Sequence, residues 1–427
     1  MIPKEFIADL LSRIDIVDVV ERYVPLKKTG KNHVACCPFH SEKSPSFTVS
    51  QTKQFYHCFG CGAHGSVIGF VMEHTGIGFV EAVEMLAKSA GIAVPQDSSN
   101  TLNEADSDIY DLMLSVTRYY REQLKNSKIA IDYLKGRGLT GEVAARFGIG
   151  YAPEDWQNLK AAAPDYKDVS LVEAGMVIEG DGDKRYDRFR NRIMFPIVNA
   201  NGKVIGFGGR VIGDGNPKYL NSPKTSLFEK GRELYGLYQA QKSTRAQQRV
   251  IAVTGYMDVL ALAQCGIDAT VSTLGHAITP HQVAILFRMS ERVVFCFNGK
   301  KAGKKSAWCA LENILPQIVD GKRIDFVFLP ENHDPDTYVR EFGAEAFEHL
   351  IGDSLPLQEY LMQEITARLN LRTQEGRSDL LQKARPLLTA IVAPTTALLL
   401  REEVAVLAGV TLAELEALWS TPHIQKR

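Results

Sequence analysis

The second half of the chain alternates short strand-like runs with helix-like stretches. Four runs rich in β-branched and aromatic residues, RVIAVTG, ATVSTLG, RVVFCF and RIDFVFLP, are separated by MDVLALAQCG, PHQVAILFRMS and KKSAWCALENILPQI. Strands that alternate with helices in this way are typical of a largely parallel sheet flanked by helices. No other feature of the sequence constrains the fold as strongly, and it predicts an α/β core.

The length and the charge balance limit what kind of protein this is. A chain of 427 residues is long enough for roughly two or three domains with separate cores. Its 49 basic residues nearly balance its 50 acidic ones, so a nucleic-acid surface would have to be a local patch. The N-terminal residues mix apolar and charged side chains, and no later run approaches ~18 apolar residues. We therefore expect a cytoplasmic protein without a membrane partner.

The composition along the chain predicts five segments. Residues 1–95 combine a cysteine-rich stretch with flanking helices. Residues 96–109 are a polar run with almost no apolar residue to bury, and they are predicted to be a linker. A core follows, divided into residues 110–243, which begin as a helix and become mixed, and residues 244–345, which hold the alternating strands. Residues 346–427 are predicted to be helical.

Two pairs of metal-binding residues stand close together in the first segment. Cys37 and His40 form a C-x2-H pair, and after seventeen intervening residues Cys58 and Cys61 form a C-x2-C pair. Between them, strand-like alternation with a polar turn at residues 50–53 predicts a hairpin. Three thiolates and one imidazole would close the shell of one structural Zn²⁺, although buried cysteines and a stray histidine are the alternative. Spare donors that could replace a ligand are Cys36, His33, His57 and His64.

Four longer motifs carry a family resemblance. CPFHSEKSPSFTVS, QFYHCFGCGAHG, DRFRNRIMFPIVNANGKVIGFGGR and NPKYLNSPKTSLFEKGRELYGL closely resemble the zinc-binding and RNA polymerase domains of bacterial DNA primase, over essentially the whole chain. The resemblance implies an α/β multidomain protein: a zinc ribbon N-terminal domain, a linker, a primase-type core with a central Toprim α/β fold, and a helical C-terminal segment. Such proteins make RNA primers from NTPs on single-stranded DNA. They also carry a C-terminal domain that binds the replicative helicase, which we expect to be absent because the chain stops at Arg427.

The resemblance also places the DNA template. In the family a basic ridge beside the active site holds single-stranded DNA, and the matching positions are Arg210, Lys218, Tyr219 and Lys230. These segments mix cationic residues with tyrosine and glycine, a combination that binds phosphates and stacks bases. For any one of these lysines, the alternative is a solvated surface charge.

Three of the six acids expected at a Toprim centre are replaced. Phosphoryl transfer in the family needs these carboxylates to bind Mg²⁺ or Mn²⁺, hard ions that take oxygen ligands. The replaced positions are Thr254, Asn298 and Lys300, and the acids that remain are Asp258, Asp334 and Asp336. We therefore expect binding of Mg²⁺ or Mn²⁺ to be weak or absent, with Lys300 paired to Asp334 or Asp336 in place of the ion.

Three functions follow from this altered centre. The first is a primase-like protein that binds single-stranded DNA but whose primer synthesis is lost or strongly impaired. The second is an active primer synthase that uses the remaining aspartates. The third is a phosphate- or nucleotide-binding regulatory module that uses Lys300, Lys301, Lys304 and Lys305, which are otherwise a solvated charge run. His276 is either a base or ligand near the centre or an ordinary solvated histidine.

Overall fold

The computed structural model describes residues 4–30, 32–40, 42, 44–75, 79–90, 92, 100–163, 165–180, 184–275 and 277–420. The chain divides into two compact units, Met1–Ala105 and Asp106–Arg427. Residues 96–99 of the predicted linker and His276 lie outside the described residues. Among the helices described, none is long and apolar enough to cross a membrane.

The first unit is an antiparallel sheet packed against helices. Its strands pair in chain order, and the turn of residues 51–54 joins two of them where the sequence predicts a hairpin. Phe47, Val49, Tyr56 and Phe70 are buried between the sheet and the helices. The elements of its described part are α1 (Lys4–Arg13), α2 (Ile16–Glu21), β1 (Lys27–Thr29), β2 (Asn32–Ala35), β3 (Phe47–Ser50), β4 (Phe55–Cys58), β5 (His64–Gly65), α3 (Val67–Thr75) and α4 (Phe79–Ser89).

The second unit begins within a long helix, whose later turns pack on a small antiparallel sheet. Residues 100–109, predicted as part of a linker, are the first turns of this helix. Its buried stripe has helical spacing and begins at Ile109, continuing through Met113, Val116 and Tyr120. The elements are α5 (Asn100–Asn126), α6 (Lys128–Gly136), α7 (Gly141–Arg146), β6 (Gly150–Ala152), α8 (Ser170–Glu173), β7 (Val177–Glu179), β8 (Arg185–Asp187), β9 (Arg192–Val198), β10 (Val204–Val211) and β11 (Tyr219–Asn221). The sheet has the order β11-β10-β9-β6.

The predicted α/β core follows and has the expected parallel sheet. Its elements are β12 (Leu234–Tyr235), α9 (Leu237–Gln247), β13 (Arg249–Val253), α10 (Tyr256–Gln264), β14 (Thr270–Thr273), α11 (Pro280–Met289), β15 (Arg292–Phe297), α12 (Lys301–Ile314), β16 (Arg323–Phe328), α13 (Pro335–Gly352) and β17 (Leu355–Pro356). The order is β12-β14-β13-β15-β16-β17, and the four central strands are parallel. All four predicted strands are therefore confirmed.

Alternate residues of the central strands enter two separate hydrophobic cores. On β13, Val250 and Ala252 face one core while Ile251 and Val253 face the other. The first of these cores also contains the C-terminal helices α14 (Leu357–Thr366), α15 (Gln374–Thr389), α16 (Pro394–Ala408) and α17 (Leu412–Ser420). Because the carboxyl ends of parallel strands meet at one edge, the loops after β13 and β15 are brought together there.

Candidate zinc centre and candidate active site

The four predicted zinc ligands meet in the first unit. One donor atom from each of Cys37, His40, Cys58 and Cys61 lies within 4.8 Å of every other. The Cys37 and Cys61 sulfurs are 3.8 Å apart, and the Cys58 sulfur is 3.7 Å from His40 Nδ1. A tetrahedral zinc with Zn–S bonds of about 2.3 Å has edges of about 3.8 Å between its ligands. The donor set therefore fits one tetrahedral zinc ion.

Backbone amides stabilise thiolate at this centre. The Phe39 N–H donates to Cys37 Sγ at 3.4 Å, and the N–H groups of Gly60 and Cys61 donate to Cys58 Sγ at 3.3 and 3.4 Å. Burial opposes ionisation and raises the pKa of Cys37 to about 12, whereas the Ser46 hydroxyl and the N–H groups of Cys61 and Gly60 lower the pKa of Cys58 to about 6. Zinc binds the thiolate, so these donors favour the form that ligates.

Glu42 is a functional residue that the spacing of cysteines and histidines does not indicate. Its Oε2 lies 3.2 Å from His40 Nε2, which leaves Nδ1 of the ring for the metal. Its Oε1 accepts hydrogen bonds from the N–H groups of Cys37 at 2.7 Å and Ser46 at 3.0 Å. The His40 ring also packs closely against Gly60, where a Cβ would lie 2.6 Å from His40 Nε2, so a larger residue would displace the ring. Glu42 thus orients the His40 ring and holds the backbone at Cys37.

The fold places the spare donors outside the metal-binding cluster and buries some aromatic rings of the first unit while it exposes others. Within the described residues, the metal-binding cluster contains none of the spare donors, and Cys36 is exposed. Phe47 and Tyr56 are completely buried, so these two rings pack in the core and cannot stack on bases. Phe59 is 75% exposed and lies beside the ligand-bearing turn. Of these three rings, Phe59 is the one that a nucleic acid can reach.

A cavity of about 610 Å³ lies at the carboxyl edge of the parallel sheet. It brings together both groups of residues that the sequence singled out in the second unit. From the predicted DNA ridge it is lined by Arg210, Lys218, Tyr219 and Lys230. From the Toprim positions it is lined by Thr254, Asp258, Asn298, Asp334 and Asp336. Lys300 is the exposed N-cap of α12, between the lining residues Asn298 and Ala302.

The remaining acids are close together, but two of them are buried. Asp258, at the start of α10, is 6% exposed, and its Oδ1 accepts the N–H of Asp336 at 3.4 Å. Burial, together with the nearby Asp334, raises the pKa of Asp258 to about 8. Asp334 is exposed and caps α13, where its side chain accepts the N–H of Thr337 at 2.8 Å.

Two arginines neutralise Asp336, which corrects the expected pairing with Lys300. Arg137 Nη1 lies 3.2 Å from Asp336 Oδ2, and Arg340 Nε lies 2.8 Å from Oδ1, around a side chain that is 3% exposed. In the described residues, no carboxylate oxygen lies within 4.0 Å of the Lys300 amine. Lys300 points to solvent from the start of a helix, and both oxygens of Asp336 already have cationic partners. The sequence analysis named neither arginine. The i,i+4 spacing of Asp336 and Arg340 is a local signal for that ion pair, whereas Arg137 is distant in the sequence.

The turn after β15 has a tight backbone, although Asn298 and Lys300 stand where the family resemblance implies acids. A Cβ at Gly299 would lie 2.2 Å from the Leu329 carbonyl oxygen, and one at Gly303 would lie 2.0 Å from that of Asn298. Both positions therefore require glycine. The Asn298 Oδ1 is buried and has no hydrogen-bond partner within the described part of the chain. The backbone of this turn is therefore fixed by its two glycines.

The predicted DNA ridge is an ordered stack rather than a set of free cations. Arg210 is 6% exposed, donates to the Tyr219 hydroxyl at 2.6 Å and lies over the rings of Tyr219 and Tyr133, at 5.2 and 5.6 Å. Tyr219 in turn stacks on Tyr256 with centroids 6.1 Å apart. Lys218 and Lys230 are exposed. Two free amines therefore flank an aromatic wall.

A second aromatic platform was not predicted from the sequence. The Arg190 guanidinium lies 4.1 Å above the ring of Trp156, which is 61% exposed, and 5.3 Å from that of Tyr186. An exposed indole held by a cation offers a stacking surface for a base. No spacing in the sequence indicated this pair, because Trp156 follows β6 and Arg190 follows β8.

Comparison with known families covers most of the chain. Residues 2–102 match the family described as CHC2 zinc finger, and residues 119–241 match that described as DNA primase catalytic core, N-terminal domain. Residues 248–325 match the Toprim domain. Residues 358–413 match the family described as DnaB-helicase binding domain of primase.

The last match corrects the partner expectation. We expected the helicase-docking domain to be absent, and this was wrong because residues 358–413 match it. Helices α14, α15 and α16 form this segment, and α17 begins at its end. Their amphipathic pattern indicates only helices, so the sequence pattern did not show a docking role.

Whole proteins and solved structures give the same family. The DNA primase of Neisseria meningitidis is 49% identical over 419 residues, covering 96% of this chain and 71% of that protein. A structure described as the DnaG primase catalytic domain bound to ssDNA is 42% identical, with a TM-score of 0.69, and covers 73% of this chain and 99% of that one. The zinc-binding and RNA polymerase domains of the Aquifex aeolicus primase give a TM-score of 0.63 at 34% identity, covering 96% of this chain and 98% of that one.

Proposed function

The chain belongs to the bacterial DNA primase family, and from this premise we propose that it binds single-stranded DNA but has lost, or nearly lost, RNA primer synthesis. The observation that carries this proposal is the state of Asp336. Its two oxygens are held by Arg137 and Arg340, within a centre where three further acid positions are Thr254, Asn298 and Lys300. A divalent ion would have to displace two guanidinium groups and then bind with few carboxylates.

The magnitudes favour loss of the metal. A unit charge about 4 Å from a divalent cation contributes about 8 kcal/mol at an effective dielectric constant near 20, attractive for aspartate and repulsive for lysine. Even a quarter of this difference weakens binding by more than tenfold. The donor set does not fit a divalent-ion site, so we derive no catalytic step through Mg²⁺ or Mn²⁺. Asp334 and Asp258 remain in the cavity without enough neighbouring charge to hold the ion.

Binding of single-stranded DNA is supported by cations and aromatic rings on the second unit. Lys218 and Lys230 can contact backbone phosphates beside the Arg210–Tyr219 stack. The exposed Trp156 ring can stack on a base. A relative with the same fold has been solved with single-stranded DNA bound. None of these contacts depends on the replaced acids.

The other parts of the chain have roles that follow from the same family. On this proposal, one structural Zn²⁺ is held by Cys37, His40, Cys58 and Cys61. The segment 358–413 contacts the replicative helicase, as the description of its family implies. The protein would then act in the cytoplasm, where the chromosome is replicated.

A second candidate function has one observation in its favour. Asp258, Asp334 and Asp336 line the same cavity although they come from two helices, so an active synthase could use them as its metal ligands. This candidate requires Arg137 and Arg340 to release Asp336 when the ion binds. It predicts ordinary metal-dependent synthesis by the chain with its present residues.

Primer synthesis on a single-stranded template, with Mg²⁺ or Mn²⁺, distinguishes the two candidates. The unaltered chain should give background incorporation, and the variant Thr254→Glu, Asn298→Asp, Lys300→Asp should synthesise primers. A matched control carries Lys301→Asp in place of Lys300→Asp, with the same change in net charge at a neighbouring position. Robust synthesis by the unaltered chain would establish the second candidate instead.

A further inference from the structure

A second cavity of the second unit lies apart from the Toprim cavity. Its volume is about 480 Å³, and it shares none of its lining residues with the Toprim cavity. Helices α9 and α11 form two of its walls, each with residues at positions i, i+4, i+7 and i+8, so one face of each helix lines the cavity. The turn of residues 199–201 and the two residues 232–233 before β12 form the other walls.

Hydrogen bonds between the walls fix the shape of this cavity. Gln241 Nε2 donates to the Ala200 carbonyl at 3.2 Å, which joins α9 to the turn after β9. Gln282 Nε2 donates to the carbonyl oxygens of Lys230 at 3.2 Å and Glu233 at 2.7 Å, which joins α11 to the segment before β12. The protein therefore forms the cavity with its own contacts, as is usual for small-molecule sites.

Three arginines give the cavity an excess of positive charge. Arg232, Arg245 and Arg288 line it from three different walls, and all three are exposed. Within the described part of the chain, no carboxylate oxygen lies within 4.0 Å of any of these guanidinium groups. Glu233 is the one acid among the described lining residues. The charge of the cavity therefore favours an anion that carries more than one negative charge.

Two of these guanidinium groups lie close to the same histidine. Burial lowers the pKa of His281, and the positive charges of Arg232 and Arg288 act in the same direction. The Arg288 Nε–H donates to the Ala284 carbonyl at 3.3 Å, which leaves the two terminal nitrogens of that guanidinium for a ligand. An anion bound here would offset the repulsion between the neighbouring cations.

The cavity lining also contains a buried hydroxyl without a partner. Thr244 is 1% exposed and lines the cavity. In the described residues its Oγ1 has no hydrogen-bond partner, although a threonine inside a helix commonly donates to the carbonyl four residues earlier. Thr117 makes that bond, to the Met113 carbonyl at 2.7 Å. Because buried polar groups are normally paired, the unpaired Thr244 hydroxyl indicates that a ligand supplies its acceptor.

Apolar side chains complete the lining and limit the kind of anion. Leu237 is buried, and Ile285 and Met289 are half-buried, so each offers apolar surface to the cavity. Inorganic phosphate would leave this surface uncovered. A phosphate monoester joins a carbon skeleton to a dianion whose oxygens match the fork of a guanidinium group.

We propose that this cavity is a binding site for a small phosphate monoester. The phosphate contacts Arg232, Arg245 and Arg288, and one of its oxygens accepts the Thr244 hydroxyl. The carbon skeleton packs on the apolar lining residues. This inference goes beyond the proposed function and does not depend on it, because neither the metal ligands nor the DNA ridge enters the argument.

The test is calorimetric titration of the zinc-loaded full chain with phenyl phosphate, which joins a dianion to an apolar ring. It should bind about tenfold more tightly than inorganic phosphate, because the ring buries apolar surface. Phenol should not bind. An oligothymidine with a 5′-hydroxyl, whose phosphates are all diesters, should not displace phenyl phosphate.

Matched arginine variants locate the site. The double variant Arg232→Ala, Arg288→Ala should weaken phenyl phosphate binding by at least about tenfold, because it removes two charge-assisted contacts. The control Arg118→Ala, Arg372→Ala removes two exposed arginines that do not line the cavity and should leave the affinity unchanged. If thermal unfolding shows that the double variant does not fold, Arg245→Ala replaces it, with an expected loss of about fivefold.

The variant Thr244→Val tests the unpaired hydroxyl. It keeps the shape of the side chain, and it should weaken phenyl phosphate binding about threefold. The unfolding temperature of the ligand-free variant should be unchanged or higher, because the hydroxyl has no partner to lose. A lower unfolding temperature with unchanged affinity would contradict the placement of the phosphate.

Several outcomes would overturn the inference. The first is that the folded chain does not bind phenyl phosphate, or binds phenol equally well. An equal loss in the control pair would show a general effect of charge. A loss in Lys230→Ala as large as in the arginine pair, or displacement by the oligothymidine, would place the phosphate on the DNA ridge. Primer synthesis by the unaltered chain would contradict the proposed function and leave this inference intact.

Discussion

The zinc centre and the Toprim centre of this chain have changed to different extents. At the zinc centre, Cys37, His40, Cys58 and Cys61 converge within 4.8 Å, and Glu42 orients the imidazole. At the Toprim centre the turn keeps its glycines, Thr254, Asn298 and Lys300 stand where the family resemblance implies acids, and Asp336 is paired with two arginines. The comparison teaches that one chain can keep a complete set of ligands at a structural metal site while the frame of a second site carries only part of the expected set. If the proposed function is correct, the catalytic metal has been lost independently of the structural one.

The largest effect is expected at the zinc centre. Structural zinc contributes about 10 to 16 kcal/mol of binding free energy in small zinc domains, so Cys58→Ser should release the ion and loosen residues 30–65. Elemental analysis should find one zinc per chain before the change and much less after it, with faster hydrogen exchange in the ribbon. Cys36→Ser, at an exposed cysteine outside the cluster, is the control. Full zinc retention by Cys58→Ser would contradict the ligand assignment.

The next effect concerns the two arginines that are paired with Asp336 at the Toprim centre. The double variant Arg137→Leu, Arg340→Leu leaves the buried carboxylate of Asp336 without partners, which should lower the free energy of unfolding by about 2 to 3 kcal/mol. Chemical denaturation measures the change. Adding Asp336→Asn to this double variant should recover most of the loss. If Mn²⁺ restored stability to the double variant instead, the centre would still be a metal site.

A smaller effect should follow from changing the residue that orients His40. Glu42→Gln keeps the shape of the side chain but removes its charge, and we expect zinc affinity to decrease by about 10- to 100-fold. Competition with a chromophoric chelator measures this directly. Glu73→Gln, on α3 of the same unit, is a control outside the ligand shell. An unchanged affinity in Glu42→Gln would mean that the carboxylate does not tune the site.

The smallest effect is expected for a single lysine of the DNA ridge. Lys230→Ala should weaken binding to single-stranded DNA by about fivefold at low salt, with little dependence on sequence, because it removes one phosphate contact. Fluorescence anisotropy over a range of salt concentrations measures both the affinity and the salt slope. Lys242→Ala is the control. Binding that is insensitive to salt and to Lys230→Ala would place the DNA elsewhere.

The sequence predicted the parts of both centres that depend on local spacing. The strands β13 to β16 were visible as β-branched runs, and the zinc pairs as C-x2-H and C-x2-C. The linker was predicted to end at residue 109 because residues 96–109 are almost entirely polar in sequence. In the structure α5 begins at Asn100, and its buried stripe begins at Ile109. Polar composition alone did not indicate that α5 begins several residues before its first buried side chain.

Residues that act across long separations could not be predicted. Arg137 reaches Asp336 over 199 positions, so no local pattern connects them. Arg340 lies one helical turn after Asp336 and could have been found from i,i+4 spacing. We expected Lys300 to pair with an aspartate because the sequence places opposite charges in the same centre. The sequence does not show that the Lys300 side chain is exposed at the start of α12. The positions of the side chains in the fold, rather than the number of charges, determine that Arg137 and Arg340 pair with Asp336.

The most direct test of the difference between the two centres is calorimetric titration of the zinc-loaded protein with Mn²⁺. The account predicts no tight Mn²⁺ site in the unaltered chain. It predicts a site in the variant Thr254→Glu, Asn298→Asp, Lys300→Asp, with at least about tenfold tighter binding. Tight binding of Mn²⁺ by the unaltered chain, abolished by Asp336→Asn, would contradict the central claim that the Toprim centre has lost its metal.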